Sequence, residues 1–317
     1  MSTFRCAIGA LLAVTPLLAA AQAYPTKPVR LIVPYASGNT DTTARIFALK
    51  LGERLGQQVV IDNRPGAGAN IGAEIAARAT PDGYVLFYAS LSHAINASLY
   101  KQLNYNLVKD FAPISVLIAS PYILTVHPSV PSRSVRELVA FAKSHPGQLN
   151  YASSGSTSHL AFEYLSMLAG VKMNHVPYKS GAPATVALIS GQIEVALASA
   201  SASMPHIKTG KLRGLGISTA ARSPQAPDLP TIGEAGVPGY DVSTWHGLSA
   251  PAGTPRDIIA RLNTESVALL KQPDVQERYR AVDSDVLGGT PEQFGALIRS
   301  EIDKWAKVVK ESGAVTD

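Results

Sequence analysis

Leu31-Ile-Val-Pro-Tyr-Ala-Ser-Gly-Asn-Thr-Asp-Thr-Thr-Ala-Arg45 predicts a strand, a polar loop and a helix in direct succession. Its first three residues form an apolar run typical of a buried parallel strand. Gly38 is expected to give the loop an unusual backbone path, and Asp41 is the expected N-cap of a helix whose apolar residues recur from Ala44 to Leu55. A loop between the end of a strand and the start of a helix can bind an anion. This stretch therefore predicts either an ordinary turn or half of a binding site.

The first 23 residues are typical of an export signal. Arg5 supplies the positive start, Cys6 to Ala21 the apolar stretch, and Ala21-Gln-Ala23 a cleavage site of small residues. We therefore expect cleavage after Ala23 and a protein that works in the periplasm. Because Cys6 is the only cysteine, the mature chain is expected to have no disulfide, no cysteine nucleophile and no thiolate metal site.

The charge pattern argues against nucleic acid as a partner. The net charge is +5 at pH 7, but the basic side chains are scattered rather than clustered. The seven histidines show no pair four residues apart and no neighbouring group of carboxylates, so no metal site is predicted. The glycines from Gly66 to Gly72 depart from the dinucleotide-binding spacing, and no cofactor is predicted.

Strands and helices alternate through most of the remaining chain, which predicts an α/β fold with parallel-rich sheets flanked by helices. The regular block from Val135 to Ser218 is expected to form a sheet of its own. The tail is mainly helical and is expected to pack back on the first lobe, with Thr254 and Thr290 as N-caps, each before a proline. The predicted organisation has residues 24–121 as lobe 1, 122–245 as lobe 2 and 246–317 as the returning part of lobe 1.

A second strand-to-helix loop, Tyr151-Ala-Ser-Ser-Gly-Ser-Thr-Ser-His159, offers hydroxyl and N–H groups for another anion site. Its serines leave an exported hydrolase open as an alternative, with Ser154 or Ser156 as the nucleophile beside His159. The sequence has no G-x-S-x-G elbow to support that alternative. We expect His159 to cap the helix or to form a hydrogen bond rather than to act as a general base.

Two further residues have alternative roles. Lys179 lies in a third strand-to-helix loop, where its ammonium group could either reach an anion or stay solvated. Trp245 lies where the chain is expected to cross back between the lobes. Its ring is either a platform for a ligand or a packing residue between the lobes.

Several long motifs, in the same order along the chain, carry a resemblance to a known family. They are Tyr24-Pro-Thr-Lys-Pro-Val-Arg-Leu-Ile-Val-Pro-Tyr35, Asp41-x-x-Ala-Arg45, Asn63-Arg-Pro-Gly-Ala-Gly68, Pro81-Asp-Gly-Tyr84, Val176-Pro-Tyr-Lys179, Leu229-Pro-Thr-Ile-Gly-Glu-Ala-Gly236 and Ala250-Pro-Ala-Gly-Thr-Pro255. Together they resemble the Bug, or tripartite tricarboxylate transporter, family of periplasmic substrate-binding receptors. The resemblance covers essentially the whole chain after the leader.

The resemblance implies a two-lobed periplasmic-binding-protein fold, type II-like, with two parallel-rich sheets and a ligand cleft between the lobes. It implies a non-enzymatic, monomeric receptor that closes on a small organic anion and delivers it to inner-membrane permease subunits. The anion would be a dicarboxylate, a tricarboxylate or an aromatic carboxylate, held mainly by backbone N–H groups, hydroxyls and waters. A receptor that senses the ligand for a signalling partner is an alternative with the same cleft.

The residues that match the family's binding loops are the expected ligand-binding residues. They are Tyr35, Ala36, Ser37, Gly38, Asn39, Thr40 and Asp41 in the first loop, Ser153, Ser154, Ser156, Thr157 and Ser158 in the second, and Ser90, Ser92, Tyr178, Lys179 and Trp245 at the sides.

The sequence departs from the family pattern at both loops and at two other positions. The family's first loop usually carries two adjacent glycines, and both of its loops are usually longer than those here. The acidic residues often found in the family where Ala187 and Ala198 stand are missing. Their absence makes plain carboxylates better candidates than ligands with an amino group. We also expect Gly38→Val to weaken binding by blocking the path of the first loop.

Overall fold

The computed structural model describes residues 24–36, 38–223 and 226–315. The expected leader with its cleavage site, and the candidate residue Ser37, lie outside the described residues. The strands are β1 Val29–Val33, β2 Val59–Asn63, β3 Val85–Ser90, β4 Phe111–Val126, β5 Asn150–Ser153, β6 Asn174–Pro177, β7 Val195–Ser199, β8 Arg213–Ile217, β9 Ser243–Pro251 and β10 Asp285–Val286. The helices are α1 Asn39–Leu55, α2 Asn70–Ala77, α3 Leu91–Leu99, α4 Val135–Ser144, α5 Ser156–Ala169, α6 Gly181–Ile189, α7 Ala200–Lys208, α8 Ile232–Ala235, α9 Arg256–Leu270, α10 Pro273–Arg280 and α11 Pro291–Ser312.

The strands form two parallel sets joined by antiparallel strands. Along the sheet the order is β2-β1-β3-β9-β4-β7-β5-β6, and β8 and β10 also pair with β4. β1 runs parallel to β2 and β3, and β5 runs parallel to β6 and β7, whereas β9 and β4 are antiparallel to their neighbours. The predicted α/β class, with two parallel-rich sets of strands flanked by helices, is confirmed.

One long strand, β4, belongs to both sets. From Phe111 to Pro121 it pairs with β9, and from Tyr122 to Val126 it pairs with β7 and β8. The sequence predicts two apolar runs here, Phe111 to Ile118 and Tyr122 to His127, and Pro121 lies between them. Proline lacks an N–H donor for the strand ladder, and Pro121 lies where the partner of β4 changes from β9 to β7. The lobe boundaries at residues 121–122 and 245–246 stay predictions.

Both faces of the first parallel set are buried. Leu31 of β1 belongs to one hydrophobic cluster and its neighbour Ile32 to another, because successive side chains of a strand point to opposite faces. Phe47 of α1 and Leu262 of α9 cover the Leu31 face. Phe294 of α11 packs on the other face. Such double burial explains why the strands read as continuous apolar runs rather than alternating ones.

The C-terminal helices return to the first set, and α11 also reaches the second. On α9, Asn263 Nδ2 donates a 2.8 Å hydrogen bond to the Ile114 carbonyl of β4. The Trp305 ring of α11 meets the Tyr164 ring of α5 edge-on at 6.0 Å. Within the described residues, no helix is both long and apolar enough to cross a membrane.

The two expected threonine caps differ in the structure. Thr290 caps α11 as predicted, since its hydroxyl accepts a hydrogen bond from the Gln293 N–H and Pro291 occupies the first turn. Thr254 does not cap α9, which begins at Arg256. Its hydroxyl instead donates a 2.7 Å hydrogen bond to the Pro251 carbonyl in the preceding turn. The expectation for Thr254 is therefore wrong.

Candidate functional site

A cleft of about 620 Å³ opens at the carboxyl ends of the parallel strands of both sets. The residues that follow β1, β3, β5 and β7 line it, as do the first turns of several helices. The antiparallel strands contribute Ser120, Tyr122 and Trp245 to the lining of the cleft. Ligands of open α/β sheets bind at this edge, outside the carboxyl ends of the strands. The cleft is therefore the candidate binding site.

Two helices start at this cleft with a glycine as N-cap. Gly38 precedes α1 and Gly155 precedes α5, and the first-turn residues Asn39, Thr40, Ser156 and Thr157 line the cleft. A glycine has no side-chain oxygen that could accept a hydrogen bond from the first-turn N–H groups. Those donors and the positive ends of two helix dipoles are therefore available to an anion.

The two glycines differ in backbone conformation. Gly155 has φ of +144°, a region that favours glycine, whereas Gly38 has φ of 161°, which is extended backbone that other residues adopt. A Cβ atom at either position would meet no heavy atom within 4 Å. The expectation that Gly38 gives its loop an unusual path is therefore wrong. The Cβ atom of a valine at position 38 would not clash with other atoms of the protein, so the steric reason expected for the Gly38→Val effect is not found.

Three other helices begin at the cleft after a serine, and in α3 and α7, unlike α6 with Ser180, the serine side chain takes part in capping. The Ser90 side chain and the His93 side chain of α3 form a capping box, and the Ser199 hydroxyl of α7 accepts a hydrogen bond from the Ala202 N–H. The donors at these two helix ends are thus partly satisfied inside the protein. α3 and α7 are not predicted from sequence, because each follows its strand without a loop and Pro205 lies inside α7.

Asp41 is buried in the first turn of α1 and is not its N-cap, so the sequence expectation is wrong. Its carboxylate accepts hydrogen bonds from Arg45 Nε at 2.7 Å and from Asn63 Nδ2 at 2.8 Å. Burial acts to raise the pKa of Asp41, but the hydrogen bonds from Arg45 and Asn63 outweigh it and hold the pKa below its usual value. Asn63 Nδ2 also donates to the Tyr35 carbonyl at 2.9 Å, so this cluster fixes the loop that carries Tyr35.

A chain of hydrogen bonds leads from the cleft into the core beside β3. The Tyr35 hydroxyl lies 2.6 Å from Ser90 Oγ, which lies 3.0 Å from His93 Nδ1. Because the Ser90 N–H donates to His93 Nδ1 at 3.0 Å, the neutral ring carries its proton on Nε2. Burial lowers the pKa of His93 to about 4 and raises the pKa of Tyr35. Both side chains are therefore neutral near pH 7.

The first turns of α3 and α5 are joined by a hydrogen bond between two side chains. Ser92 Oγ lies 3.0 Å from Thr157 Oγ1, with either hydroxyl able to donate. The sequence places both residues among the ligand-binding candidates, one in each predicted lobe. The structure brings them together at the rim of the cleft.

The serine-rich loop leads to a pair of stacked histidines. The rings of His159 and His175 stack with centroids 3.8 Å apart, and His159 Nε2 lies 3.8 Å from the Glu163 carboxylate. In this loop, Ser153 Oγ lies 2.6 Å from His175 Nε2. The hydrolase hypothesis pairs Ser154 or Ser156 with His159, and this arrangement does not support it.

Three residues that line the cleft have a buried polar atom with no hydrogen-bond partner among the described residues. They are Trp245 Nε1, Ser203 Oγ and His246 Nδ1. Trp245 lines the cleft and packs edge-on against Phe294 at 5.5 Å, so its ring has a packing contact, and its role as a platform for a ligand stays a prediction. Burial, with a smaller effect of His93, lowers the pKa of His246 to about 3. Sequence patterns gave no signal for Ser203 because its helix was not predicted.

Most of the expected ligand-binding residues lie together at the cleft. Those that line it are Tyr35, Ala36, Asn39, Thr40, Ser90, Ser92, Ser153, Ser154, Ser156, Thr157, Ser158 and Trp245. Gly38, Asp41, Tyr178 and Lys179 are not among the residues that line it, and Lys179 is exposed. A ligand contact of any of these residues stays a prediction.

The cleft is polar but uncharged. Among the described residues that line it, none is a lysine, arginine, aspartate or glutamate. No group of three or more histidine, cysteine, aspartate or glutamate residues in the described part of the chain could hold a metal ion. An anion in this cleft would therefore depend on N–H groups, hydroxyls and helix dipoles rather than on a cation.

The chain matches known proteins along most of its length. The family model for the tripartite tricarboxylate transporter family receptor matches residues 43–314. Protein BugT of Bordetella pertussis is 35% identical over 321 residues, covering 99% of this chain and 98% of BugT. The structure of R. palustris Rpa4515 with adipate has a TM-score of 0.81 and 38% identity, covering 92% of this chain and 99% of that one.

A second solved structure has a different bound acid. MatC (Rpa3494) from Rhodopseudomonas palustris, with bound malate, has a TM-score of 0.78 and 34% identity, covering 90% of this chain and 100% of that one. The family match spans most of α1, the strands from β2 to β10, α5 and the returning C-terminal helices. The chain belongs to the tripartite tricarboxylate transporter family of receptors, and it is a solute-binding receptor rather than an enzyme.

Proposed function

We propose that this receptor works in the periplasm, where it binds a small organic carboxylate in the cleft and delivers it to permease subunits in the inner membrane. The observation that carries the proposal is the meeting of α1 and α5, both glycine-capped, at one uncharged cleft. The first-turn N–H groups of these helices are donors that a carboxylate can satisfy, and both dipoles favour a negative charge there. Serine and threonine hydroxyls around them add further donors.

The relatives support a carboxylate as the class of ligand. Two structural neighbours were solved with adipate and with malate, and both share more than 30% of their sequence with this chain. Their ligands differ in length and substitution, so the neighbours favour the carboxylate group rather than one particular acid. The expected export signal and cleavage after Ala23 fit the same role.

The ligand can be identified on the protein itself. We expect a carboxylic acid to be released from natively purified protein and to be detected by mass spectrometry. Addition of that acid at a hundredfold its Kd should stabilise the ligand-free protein by about 2.7 kcal/mol in denaturant unfolding. The amide of the same acid is the control, and it should give much less stabilisation because it lacks the charge. Absence of any stabilisation by a broad panel of carboxylates would contradict the proposal.

A further inference from the structure

A pair of stacked histidines lies beside the start of α5. The rings of His159 on α5 and His175 on β6 are 7° from parallel, with centroids 3.8 Å apart. The Tyr151 ring of β5 stacks on His175 at 5.1 Å, and the Glu163 carboxylate of α5 lies 3.8 Å from His159 Nε2. We call His159 and His175 the histidine pair. Two imidazoles beside a carboxylate form a group that can take up a proton near neutral pH.

The histidine pair reaches the cleft through Ser153. This serine is the last residue of β5, is 4% exposed and lines the cleft. Its Oγ lies 2.6 Å from His175 Nε2. The other member of the pair, His159, donates its backbone N–H at 3.1 Å to the carbonyl of Gly155, the N-cap of α5. A change of charge on the pair is therefore one hydrogen bond away from the wall of the cleft.

The proton on His175 Nε2 decides what Ser153 offers to the cleft. When Nε2 carries no proton, the Ser153 hydroxyl donates to it and keeps only lone pairs for other partners. When Nε2 carries a proton, Ser153 Oγ accepts from it, and the serine O–H is free to donate. A carboxylate accepts hydrogen bonds and donates none, so a carboxylate in the cleft fits the second arrangement.

The charges around the histidine pair favour one proton and oppose two. Glu163 is the acid that faces the pair from α5, and its negative charge stabilises an imidazolium. Tyr151 faces the pair from β5, donates its hydroxyl to Glu163, and is neutral because burial and Glu163 raise its pKa well above the usual value. Within the described residues β6 pairs with β5 alone, and the lysines that flank it, Lys172 and Lys179, are exposed. Two protons would place like charges on rings 3.8 Å apart.

Two other histidines near the cleft do not hold a proton at neutral pH. Burial lowers the pKa of His93 to about 4 and the pKa of His246 to about 3. Both rings therefore stay neutral above about pH 5. A proton that the protein takes up on binding near neutral pH is thus assigned to the histidine pair rather than to these two side chains.

We propose that carboxylate binding is linked to a proton on the histidine pair: His175 donates from Nε2 to Ser153, and Ser153 donates to the carboxylate. His175 is then a positioning residue that acts on the ligand through Ser153. This inference rests on the proposed function and adds a proton to it. Because a bound carboxylate favours the protonated pair, binding takes up a proton, and affinity falls as pH rises and the pair loses that proton.

Calorimetry across pH tests this link. Acetate, succinate, adipate and benzoate are the probes for ligand-free protein, and the tightest binder is followed from about pH 6.5 to 8.5, where carboxylates are ionised and an ordinary histidine loses its proton. We expect affinity to be about five- to tenfold higher at the acidic end. The heat of binding at about pH 7 should differ between phosphate and Tris buffers, because the proton is drawn from the buffer. Constant affinity without a buffer-dependent heat would overturn the inference and leave the proposed function standing. If none of the four acids binds, both are overturned.

Substitutions at His175 and Ser153 separate positioning from packing. His175→Leu removes the donor to Ser153 and should weaken binding about tenfold at about pH 6.5. His175→Gln keeps an N–H donor that does not titrate, so it should lose less affinity than His175→Leu and show no pH dependence. Ser153→Ala should also abolish the pH dependence. Adding His175→Leu to Ser153→Ala should cost less than about threefold more, because the histidine acts through the serine.

A histidine away from the cleft gives the matched control. His145→Gln, at the C-cap of α4, should keep both the affinity and the pH dependence of the parent protein. Thermal unfolding shows which variants are folded, and Ser153→Ala carries the test if a His175 variant does not fold. Two results would overturn the inference: equal loss in His175→Leu and His175→Gln with the pH dependence retained, or a Ser153→Ala protein that still takes up a proton on binding.

Discussion

The glycine-capped and serine-capped helices at the cleft differ in where their first-turn donors go. In α3 the Ser90 and His93 side chains form a capping box, so part of the donor capacity is used inside the protein. α1 and α5 have no cap side chain at all. Helices that start at the same edge of the sheet thus differ in whether their first-turn N–H groups are satisfied by a cap side chain or left for a ligand. If the proposed function holds, the absence of a stabilising cap side chain marks the helix starts that bind the ligand.

Giving α1 a side-chain cap is the strongest test of this comparison. Gly38→Asp should weaken carboxylate binding about 100-fold. The aspartate places a like charge beside the ligand, and the aspartate oxygens compete with the ligand for the same N–H groups. The extended backbone and the open space around Gly38 permit the change. The ligand-free protein should become about 0.5 kcal/mol more stable, since an acidic cap suits a helix start. Calorimetry and urea unfolding measure the two effects.

Two matched variants separate charge from capping. Gly38→Asn adds an acceptor without a charge and should weaken binding about tenfold, whereas Gly38→Ala adds neither and should stay within about threefold of the parent protein. Unchanged affinity in all three variants would show that the start of α1 does not hold the ligand.

The two glycine caps can be distinguished from each other by stability. Gly155→Ala should cost about 1–3 kcal/mol in urea unfolding, because φ of +144° is strained for any residue with a Cβ atom. Gly38→Ala should be within about 0.5 kcal/mol of the parent, since its backbone is extended. Neither Cβ meets another atom within 4 Å, so packing does not confuse the comparison. Equal costs at both positions would mean that the backbone conformation of Gly155 is not the reason for its glycine.

Sequence patterns predicted most of the strands and helices and both polar loops that line the cleft, because apolar runs and loop composition are local signals. They did not predict α7, since Pro205 inside a helix argues against one and only packing offsets its cost. Ala202 and the Ser203 hydroxyl, which line the cleft, were missed with that helix. Sequence also could not join the two apolar runs around Pro121, because the change of strand partner is a tertiary feature.

Asp41 shows the same limit at a single residue. An aspartate just before an apolar helical pattern looks like an N-cap, but α1 starts two residues earlier, at Asn39. What Asp41 does is decided by Asn63, which is distant in sequence, and by Arg45. Local pattern therefore identified the helix but gave the wrong role for its acidic residue.

The smallest expected effect is the loss of stability on replacing Asp41. This residue is in the first turn of the glycine-capped helix α1 but does not line the cleft. Asp41→Asn should cost about 1 kcal/mol near pH 7, because the pKa of Asp41 in the folded state lies below its unfolded value. A lowered folded pKa gives stability that is fully present above the unfolded pKa of about 3.9 and is lost as pH falls through the folded pKa. The difference in unfolding free energy between variant and parent should therefore be constant from about pH 5 to 7 and shrink toward pH 3.

The control is Asp257→Asn, at an exposed acid in the first turn of α9. It should cost only a few tenths of a kcal/mol, about the value of a helix-dipole contact. Carboxylate affinity should change less than about threefold, because Asp41 does not line the cleft. A large loss of affinity would instead show that Asp41 takes a direct part in binding the ligand. In that case the first turn of α1 could not be divided into N–H groups that bind the ligand and a carboxylate that only stabilises the fold.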